Sequence, residues 1–292
     1  MYLGLDVGGT HTDIVLLNEN GMIASFKTAT NHDDLTSSVR EALEKIIERI
    51  GPDERKNEIR SVNLSTTLST NAIIENRLEE TGVIVSAGPG IDPENYRPGN
   101  HFFIIDGYLD HRRKSAAALD EKALNAAVQE CRGRKLTTFA AVSRFSVRNP
   151  EYENQIKAAL ADFADFVSAG HLISSRLNFP RRISTAYYNS AVWRLYRRFA
   201  DAIDSELRKV GIKAPINILK ADGGTMPLDL SRDLPVETIL SGPAASIMGI
   251  AALCDIAEDA IVLDIGGTTT DIAVFASGTP VISSPTSTRF FW

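Results

Sequence analysis

One sequence element occurs twice in this chain, once near each end. Residues 3–17 read LGLDVGGTHTDIVLL and residues 261–275 read IVLDIGGTTTDIAVF, and the two align without a gap. Each copy consists of a short apolar run, a Gly-Gly pair and a second apolar run, which is the pattern of a β-hairpin. The wide separation excludes a solenoid, whose repeats recur roughly every 20–50 residues. The repeat therefore predicts two related lobes, each of which opens with the same hairpin.

Composition excludes several classes of protein. The chain has 292 residues and a formal net charge of -6, whereas proteins that bind nucleic acid are usually basic. No apolar run approaches the roughly 20 residues that cross a bilayer, and the N-terminus lacks the basic segment of a signal peptide. Cys131 and Cys254 lack the spacing of a zinc site and predict buried thiols in a reducing compartment. We therefore expect a cytoplasmic protein that binds neither nucleic acid nor membrane.

The order of predicted elements near the N-terminus indicates an α/β lobe. Periodicity and turn signals give three strands, a helix, a strand, a short helix and a further strand. Their expected ranges are Tyr2–Val7, Thr12–Leu17, Met22–Thr28, Asp33–Ile50, Ser61–Ser65, Ser69–Leu78 and Val83–Ser86. The order βββαβαβ predicts one mixed sheet with helices packed against it.

A long helix is predicted in the second half of the chain, from about Arg182 to Val210. It follows a Gly- and Pro-rich loop at Ala87–Asn100 and a segment of alternating helices and strands. Arginines that repeat at helical spacing near and along the long helix predict a solvated face. They are Arg181, Arg182, Arg194, Arg197 and Arg198.

The DxGGTxxD pattern of each hairpin is suited to binding phosphate. Paired glycines let backbone amides approach an anion closely, and threonine hydroxyls add donors. Because phosphate repels a carboxylate, Asp6 and Asp264 indicate a Mg²⁺ ion between them. A single copy would be weak evidence, because Gly-Gly turns in hairpins are more often structural, but two copies with the same Asp and Thr pattern favour phosphate binding. Neither GxxxxGK[ST] nor GxGxxG after a strand is present, which excludes the common alternatives for nucleotide binding.

The duplicated hairpin resembles the two phosphate loops of the actin, heat-shock chaperone and sugar-kinase superfamily. A closer resemblance, over residues 1–285, is to the hydantoinase A/5-oxoprolinase family. The segments that carry it are LDVGGTHTDIVL, STTLSTNAIIE (Ser65–Glu75), ADGGTM (Ala221–Met226), LSGPAAS (Leu240–Ser246) and LDIGGTTTDIAV. The GGT loops are specific only to the superfamily, whereas their combination with the other three segments is specific to the family.

The resemblance implies an α/β fold of the ribonuclease H-like, actin-like ATPase type. It predicts a lobe with a mixed βββαβαβ sheet, an inserted α/β subdomain and the first strands of a second lobe. The implied divisions are a core with the first phosphate loop (1–87), the inserted subdomain (88–180), the long helix and return to the core (181–258), and the start of the second lobe (259–292). Only 28 residues follow Asp264, so we expect a truncated second lobe.

The resemblance also implies an ATP-dependent hydrolase that opens a cyclic amide, of the 5-oxoproline or hydantoin type, by phosphoryl activation. ATP and Mg²⁺ are the implied cofactors, and a hydantoinase B-like subunit and an oligomeric assembly are the implied partners. The alternatives are a subunit of an ATP-dependent ketone carboxylase, a small-molecule kinase of the superfamily, an activator ATPase with an iron–sulfur cluster, and an inactive truncated fragment. Two lone cysteines argue against the cluster.

Site residues follow from the resemblance position by position. The first phosphate loop would comprise Asp6, Gly8, Gly9, Thr10 and Thr12. The second would comprise Asp264, Gly266, Gly267, Thr268 and Thr270. Asp6 and Asp264 are the metal candidates, and the catalytic candidates are these two with Asp13 and Asp271, which either orient metal-bound water or cap a turn. The substrate-cleft candidates are Thr70, Asn71, Asp222, Gly223 and Gly224, for which a helix N-cap at Asn71 and a tight turn at Asp222–Gly224 are structural alternatives.

Overall fold

The structure is a computed structural model that describes residues 1–31, 35–51, 56–265 and 270–281. The chain divides into two compact units, one of residues 1–76 and 195–281 and the other of residues 77–194. The expected domain boundaries after residues 87 and 180 both fall inside the second unit, and the four-part division stays a prediction. In the described part of the chain, no helix is long and apolar enough to cross a membrane.

Strands and helices alternate along most of the chain. In the first part they are β1 (Tyr2–Val7), β2 (His11–Asn18), β3 (Gly21–Ala29), α1 (Leu35–Ile50), β4 (Ser61–Thr66), α2 (Leu68–Ile74), β5 (Thr81–Ser86), β6 (His101–Ile104), β7 (Tyr108–Leu109), β8 (Ser115–Ala117), α3 (Glu121–Gly133), β9 (Thr138–Ser143), α4 (Glu151–Leu160), β10 (Phe166–Ala169) and α5 (Gly170–Ile173). They continue with α6 (Phe179–Lys209), β11 (Ile216–Leu219), β12 (Thr225–Pro227), α7 (Leu228–Ser231), α8 (Ser241–Leu253), β13 (Ala260–Ile265), β14 (Thr270–Ala276) and β15 (Thr279–Pro280). Residue 33, the predicted start of the first helix, lies outside the described residues.

A six-stranded mixed sheet forms the centre of the first unit, with the order β12-β11-β4-β1-β2-β3. Strand β1 pairs antiparallel with β2 and parallel with β4, which in turn pairs parallel with β11. Strand alternation buries Leu3, Leu5 and Val7 on one face of β1, against side chains of α1 and the C-terminal half of α6. The same alternation places Asp6 on the opposite face, beside the first Gly-Gly loop.

The predicted order βββαβαβ is present, but its elements do not share one sheet. Strand β5 pairs with β6 and β9 in a different sheet, and β11 takes the position beside β4. The expectation of a single βββαβαβ sheet is therefore wrong. All six residues of β5 are buried, and a continuous apolar run indicates burial on both faces without indicating which strand it pairs with.

The second unit is an α/β arrangement around a parallel sheet of four strands, in the order β10-β9-β5-β6. Ile84 and Phe139 pack with side chains of α3 and α4 on one face of this sheet. Val83 and Val142 pack with the N-terminal half of α6 on the other face. Helices on both faces explain why β5 and β9 are buried along their whole length.

Two expectations about exposure are wrong. Arg182, expected on a solvated face, is fully buried, and its guanidinium donates to the backbone oxygens of Ser143 (2.9 Å) and Arg176 (2.7 Å). Helical spacing shows which residues share a face but not what packs against that face. Cys254, expected to be buried, is exposed at the end of α8, whereas Cys131 is buried as expected.

Candidate functional site

The first Gly-Gly loop is a tight connection between β1 and β2. The Gly8 amide donates to the backbone oxygen of His11 at 3.0 Å. Neither Gly8 nor Gly9 has a positive φ, so backbone conformation does not require these glycines. A Cβ on Gly9 would lie 3.0 Å from Nδ2 of Asn71, a tight contact that the Asn71 side chain would have to relieve by moving. The amides of Gly9 and Thr10 donate to no oxygen among the described residues, which leaves two donors for an anion.

The two threonines of the first loop have different surroundings. Thr10 is exposed. Thr12 is fully buried, and its Oγ1 lies 3.2 Å from Oγ1 of Thr30. The Thr30 hydroxyl also donates to the Gly8 backbone oxygen at 2.9 Å. Thr12 therefore supports the loop from the interior, and contact of either threonine with phosphate stays a prediction.

Four polar residues form one row across the sheet beside this loop. Strand pairing sets Ser65, Asp6, Asp13 and Lys27 next to one another on β4, β1, β2 and β3. The Ser65 hydroxyl donates to Oδ1 of Asp6, and Nζ of Lys27 lies 3.2 Å from Oδ2 of Asp13. Burial raises the pKa of Asp6, the Ser65 hydrogen bond opposes this, and the nearby carboxylates of Asp13 and Asp264 raise it further.

The second hairpin repeats the pairing of the first. Asp264 lies opposite Asp271 on β13 and β14, as Asp6 lies opposite Asp13. The Ser246 hydroxyl, from α8, donates to Oδ2 of Asp264 at 2.6 Å. Burial raises the pKa of Asp271, and the charge of Asp264 adds to the effect. Thr270 is exposed at the start of β14, whereas Gly266, Gly267 and Thr268 lie outside the described residues.

The charge of Asp264 contributes to the raised pKa of Asp6. In the described ranges, no group of three or more acidic, histidine or cysteine side chains is arranged to hold a metal ion. Mg²⁺ at nucleotide sites is usually held by one or two carboxylates, with phosphate oxygens and waters as the other ligands. Two hard carboxylate donors therefore fit Mg²⁺ that arrives with a nucleotide, and the metal site stays a prediction.

Thr70 and Asn71 connect α2 to the first loop and to α8. Oγ1 of Thr70 accepts from the backbone amide of Leu240 at 2.9 Å, and Leu240 precedes α8 with a φ of 65°. Nδ2 of Asn71 donates to Oγ1 of Thr67 at 3.2 Å, and a Cβ added to Gly9 would lie 3.0 Å from the same nitrogen. Thr67 is the N-cap residue of α2, so the N-cap alternative for Asn71 is wrong.

Asp222, Gly223 and Gly224 form the tight turn between β11 and β12. Oδ1 of Asp222 accepts from the Gly224 amide at 2.9 Å, and Gly223 has a φ of 80°. The Lys220 ammonium, 2.9 Å from Oδ2 of Asp222, lowers the pKa of that carboxyl. The turn alternative accounts for the local geometry, and the predicted role of these residues in a substrate cleft stays a prediction.

A cavity of about 870 Å³ lies between the open face of the six-stranded sheet and α8. Its polar lining includes Asp6, Asp13, Lys27 and Ser65, and Met248 contributes to its apolar side. A volume of this size accommodates a small organic ligand. The sequence reasoning missed Lys27 and Ser65. Strand alternation was the available signal for Lys27, because it places alternate residues of β3 on the face that carries Asp13.

Comparisons with known proteins agree with this architecture. A family model described as hydantoinase/oxoprolinase N-terminal region matches residues 2–163, and a second, described as hydantoinase/oxoprolinase, matches residues 182–290. Caprolactamase subunit alpha from Pseudomonas jessenii is 28% identical over 306 residues, which cover 94% of this chain and 43% of that protein. The chain thus spans less than half the length of this relative.

Two solved structures share the fold. The nucleotide-free structure of acetone carboxylase gives a TM-score of 0.82 at 18% identity, covering 96% of this chain and 44% of that one. The ATP-dependent caprolactamase from Pseudomonas jessenii gives a TM-score of 0.76 at 26% identity, covering 94% of this chain and 43% of that one. An α/β fold with mixed sheets is confirmed, and its ribonuclease H-like detail stays a prediction. With two family models matched along most of its length, the chain belongs to the hydantoinase/oxoprolinase family.

Proposed function

We propose that this protein uses ATP to open a cyclic amide of the 5-oxoproline or hydantoin type. The observation that carries the proposal is the position of Asp6 and Asp264. These equivalent residues belong to two copies of one loop motif. Asp6 lines the cavity next to α8, and the Ser246 hydroxyl of α8 donates to Asp264. Two such loops can bind a polyphosphate from opposite sides, and their aspartates can bind its cation. The caprolactamase relative, named for a cyclic amide, supports the substrate class.

In the proposed reaction, the amide oxygen of the substrate attacks the terminal phosphorus of ATP, the P–O bond to ADP breaks, and ADP leaves. Water then adds to the activated carbon, and the ring C–N bond breaks as the nitrogen takes a proton, which leaves an acyl phosphate. A second water molecule hydrolyses the acyl phosphate to a carboxylate and inorganic phosphate. The free amides of Gly9 and Thr10 would bind phosphoryl oxygens as negative charge moves onto them.

Asp6 and Asp264 would hold Mg²⁺, which neutralises charge on the phosphates. Asp13 and Asp271 remain the candidates for orienting metal-bound water, because each lies opposite a metal candidate on the neighbouring strand. A hydantoinase B-like partner subunit, an oligomeric assembly and a cytoplasmic location belong to the same proposal. The partner is supported by the name of the relative, which is one subunit of a caprolactamase.

Nucleotide binding is the first test. Isothermal titration of the chain with a non-hydrolysable ATP analogue and Mg²⁺ should give saturable binding. The variants Asp6→Asn and Asp264→Asn should weaken that binding by about 10-fold or more, since each removes an anionic oxygen donor. Asp162→Asn is the matched control, because Asp162 is an exposed carboxylate of the second unit. A folded chain without any binding would support the inactive-fragment alternative instead.

Substrate class is tested by release of phosphate from ATP. Release that depends on 5-oxoproline or a hydantoin supports the proposal. Release that depends on a ketone with bicarbonate would favour the carboxylase alternative, and a phosphorylated sugar product would favour a kinase. Asp6→Asn should abolish whichever activity is found, because the metal ion would lose a carboxylate ligand.

A further inference from the structure

Each of three carboxylates at the candidate site has one oxygen held by its own donor. Oδ1 of Asp6 accepts from the Ser65 hydroxyl, Oδ2 of Asp13 pairs with the Lys27 ammonium, and Oδ2 of Asp264 accepts from the Ser246 hydroxyl. The three donors lie on three different elements, β4, β3 and α8. Among the residues that the structure describes, no hydrogen-bond donor or cation is paired with Oδ2 of Asp6 or with Oδ1 of Asp13. Both of these acids therefore keep one oxygen for a ligand.

Asp6 and Asp13 need such donors because they are direct partners across an antiparallel pair. Like charges in that position repel and would push the two carboxylates apart. The Ser65 hydroxyl on one side and the Lys27 ammonium on the other compensate this repulsion within the row. Among the described residues that line the cavity, Lys27 is the one cation.

The Lys27–Asp13 pair contributes little to folding. The side chains of Lys27 and Asp13 are 59% and 45% exposed, and solvent-exposed pairs contribute about 0–1 kcal/mol to stability. Lys27 lines the same cavity as Asp6 and Asp13. Because its ion pair contributes so little to folding, we look for its role in the site.

We propose that Lys27 and Ser65 are positioning residues that orient Asp13 and Asp6 toward a divalent cation bound with nucleotide phosphates. The inference rests on the proposed function. Partners that hydrogen-bond metal-binding carboxylates fix their orientation, and loss of such a partner typically weakens metal affinity by about 10–100-fold. Lys27 also lowers the net negative charge of the cavity, which favours entry of a polyphosphate.

The test measures binding of Mn²⁺, a paramagnetic substitute for Mg²⁺, by electron paramagnetic resonance in the presence of a non-hydrolysable ATP analogue. Lys27→Met should weaken Mn²⁺ binding by about 10-fold or more, and Lys27→Arg, which keeps the charge, should restore most of it. The matched control is Lys45→Met, because Lys45 forms a similarly exposed pair with Glu41 on α1. Thermal unfolding should show that both methionine variants stay folded.

Ser65 is tested in the same assay. Ser65→Ala should weaken Mn²⁺ binding, and Ser65→Thr, which retains the hydroxyl, should bind more tightly than Ser65→Ala. If the parent chain binds Mn²⁺ with the analogue and folded Lys27→Met binds equally well, the positioning role is overturned while the proposed function stands. If the folded parent chain does not bind the analogue at all, both are overturned.

Discussion

The two copies of the repeated hairpin pair their strands in the same way. Leu5 lies opposite Ile14 in the first copy, and Leu263 lies opposite Ile272 in the second. The aspartates keep the same register, and a third strand pairs with the second strand of each hairpin. The local sequence is thus sufficient to define each hairpin and its register.

The surroundings of the two hairpins differ. The aliphatic face of the first copy is buried against α1 and α6, and Leu5 is 3% exposed. The equivalent face of the second copy is largely open, and Leu263 is 57% exposed. The buried set is Leu3, Leu5, Val7, Ile14 and Leu16, and the exposed set is Ile261, Leu263, Ile265, Ile272 and Val274. The same pattern therefore stabilises the fold only where another element covers it, since the gain comes from removing apolar area from water.

The largest expected effect is that of the same truncation in each copy. Leu5→Ala should lower the free energy of unfolding by about 2–5 kcal/mol, because it leaves a cavity in a packed core. Leu263→Ala should change it by about 0.5 kcal/mol or less, because that side chain is already in contact with solvent. Urea unfolding followed by circular dichroism measures both. Equal losses would mean that the second hairpin is covered in solution as well.

Low pH should weaken the packing between α1 and α6, the two helices that bury the aliphatic face of the first hairpin. Glu206 on α6 accepts hydrogen bonds from Arg40 on α1 and from Lys209, which lower its pKa from 4.5 to about 2. Because the folded pKa lies below the unfolded one, the pair stabilises the fold above about pH 4.5, and this contribution is lost as the pH falls toward 2. Glu206→Gln should lower the free energy of unfolding by about 1–2 kcal/mol at pH 7, a value that allows for solvent screening of the half-exposed cations.

The difference between parent and Glu206→Gln should shrink steadily between pH 4.5 and 2, as measured by urea unfolding at each pH. Glu41→Gln is the control, because Glu41 forms an exposed pair within α1 and should cost about 0.5 kcal/mol or less. A parent–variant difference independent of pH over this range would contradict the role of the Arg40–Glu206 pair.

The smallest effect is expected at the equivalent threonines. Thr12→Val should lower the free energy of unfolding by about 1 kcal/mol, because it removes a buried hydroxyl that lies next to the Thr30 hydroxyl. Thr270→Val should be nearly neutral for stability, because Thr270 is exposed. Calorimetric titration with the ATP analogue then separates folding from binding. If Thr270 contacts phosphate as predicted, its valine variant should lose affinity without losing stability, and unchanged affinity would remove it from the site.

Much of the fold near the hairpins could be predicted, because period-2 alternation and Gly-Gly pairs are local signals. The predicted range Tyr2–Val7 is confirmed as β1, and the strand and helix boundaries that follow differ by a few residues. Strand β5 was assigned to the wrong sheet because its apolar run indicates burial on both faces but not which strands pair with it. Arg182 was placed on the wrong surface because Ser143, which binds it, lies on another element.

The candidate site was predictable only in part for the same reason. Asp6, Asp13, Asp264 and Asp271 stand out because the motif occurs twice. Lys27 and Ser65 belong to no repeated motif, and they became visible when strand pairing set them beside Asp13 and Asp6.

By itself, the sequence determined the two hairpins, their register and the positions of their acidic and glycine residues, since these depend on backbone geometry and alternation over a few residues. It also determined the family, through the motifs that accompany the hairpins. Only the tertiary structure decided that Leu5 is buried while Leu263 is exposed, that β11 pairs with β4, and that the Ser65 hydroxyl donates to Asp6. Those outcomes depend on contacts between distant segments, whose burial and charge no local pattern encodes.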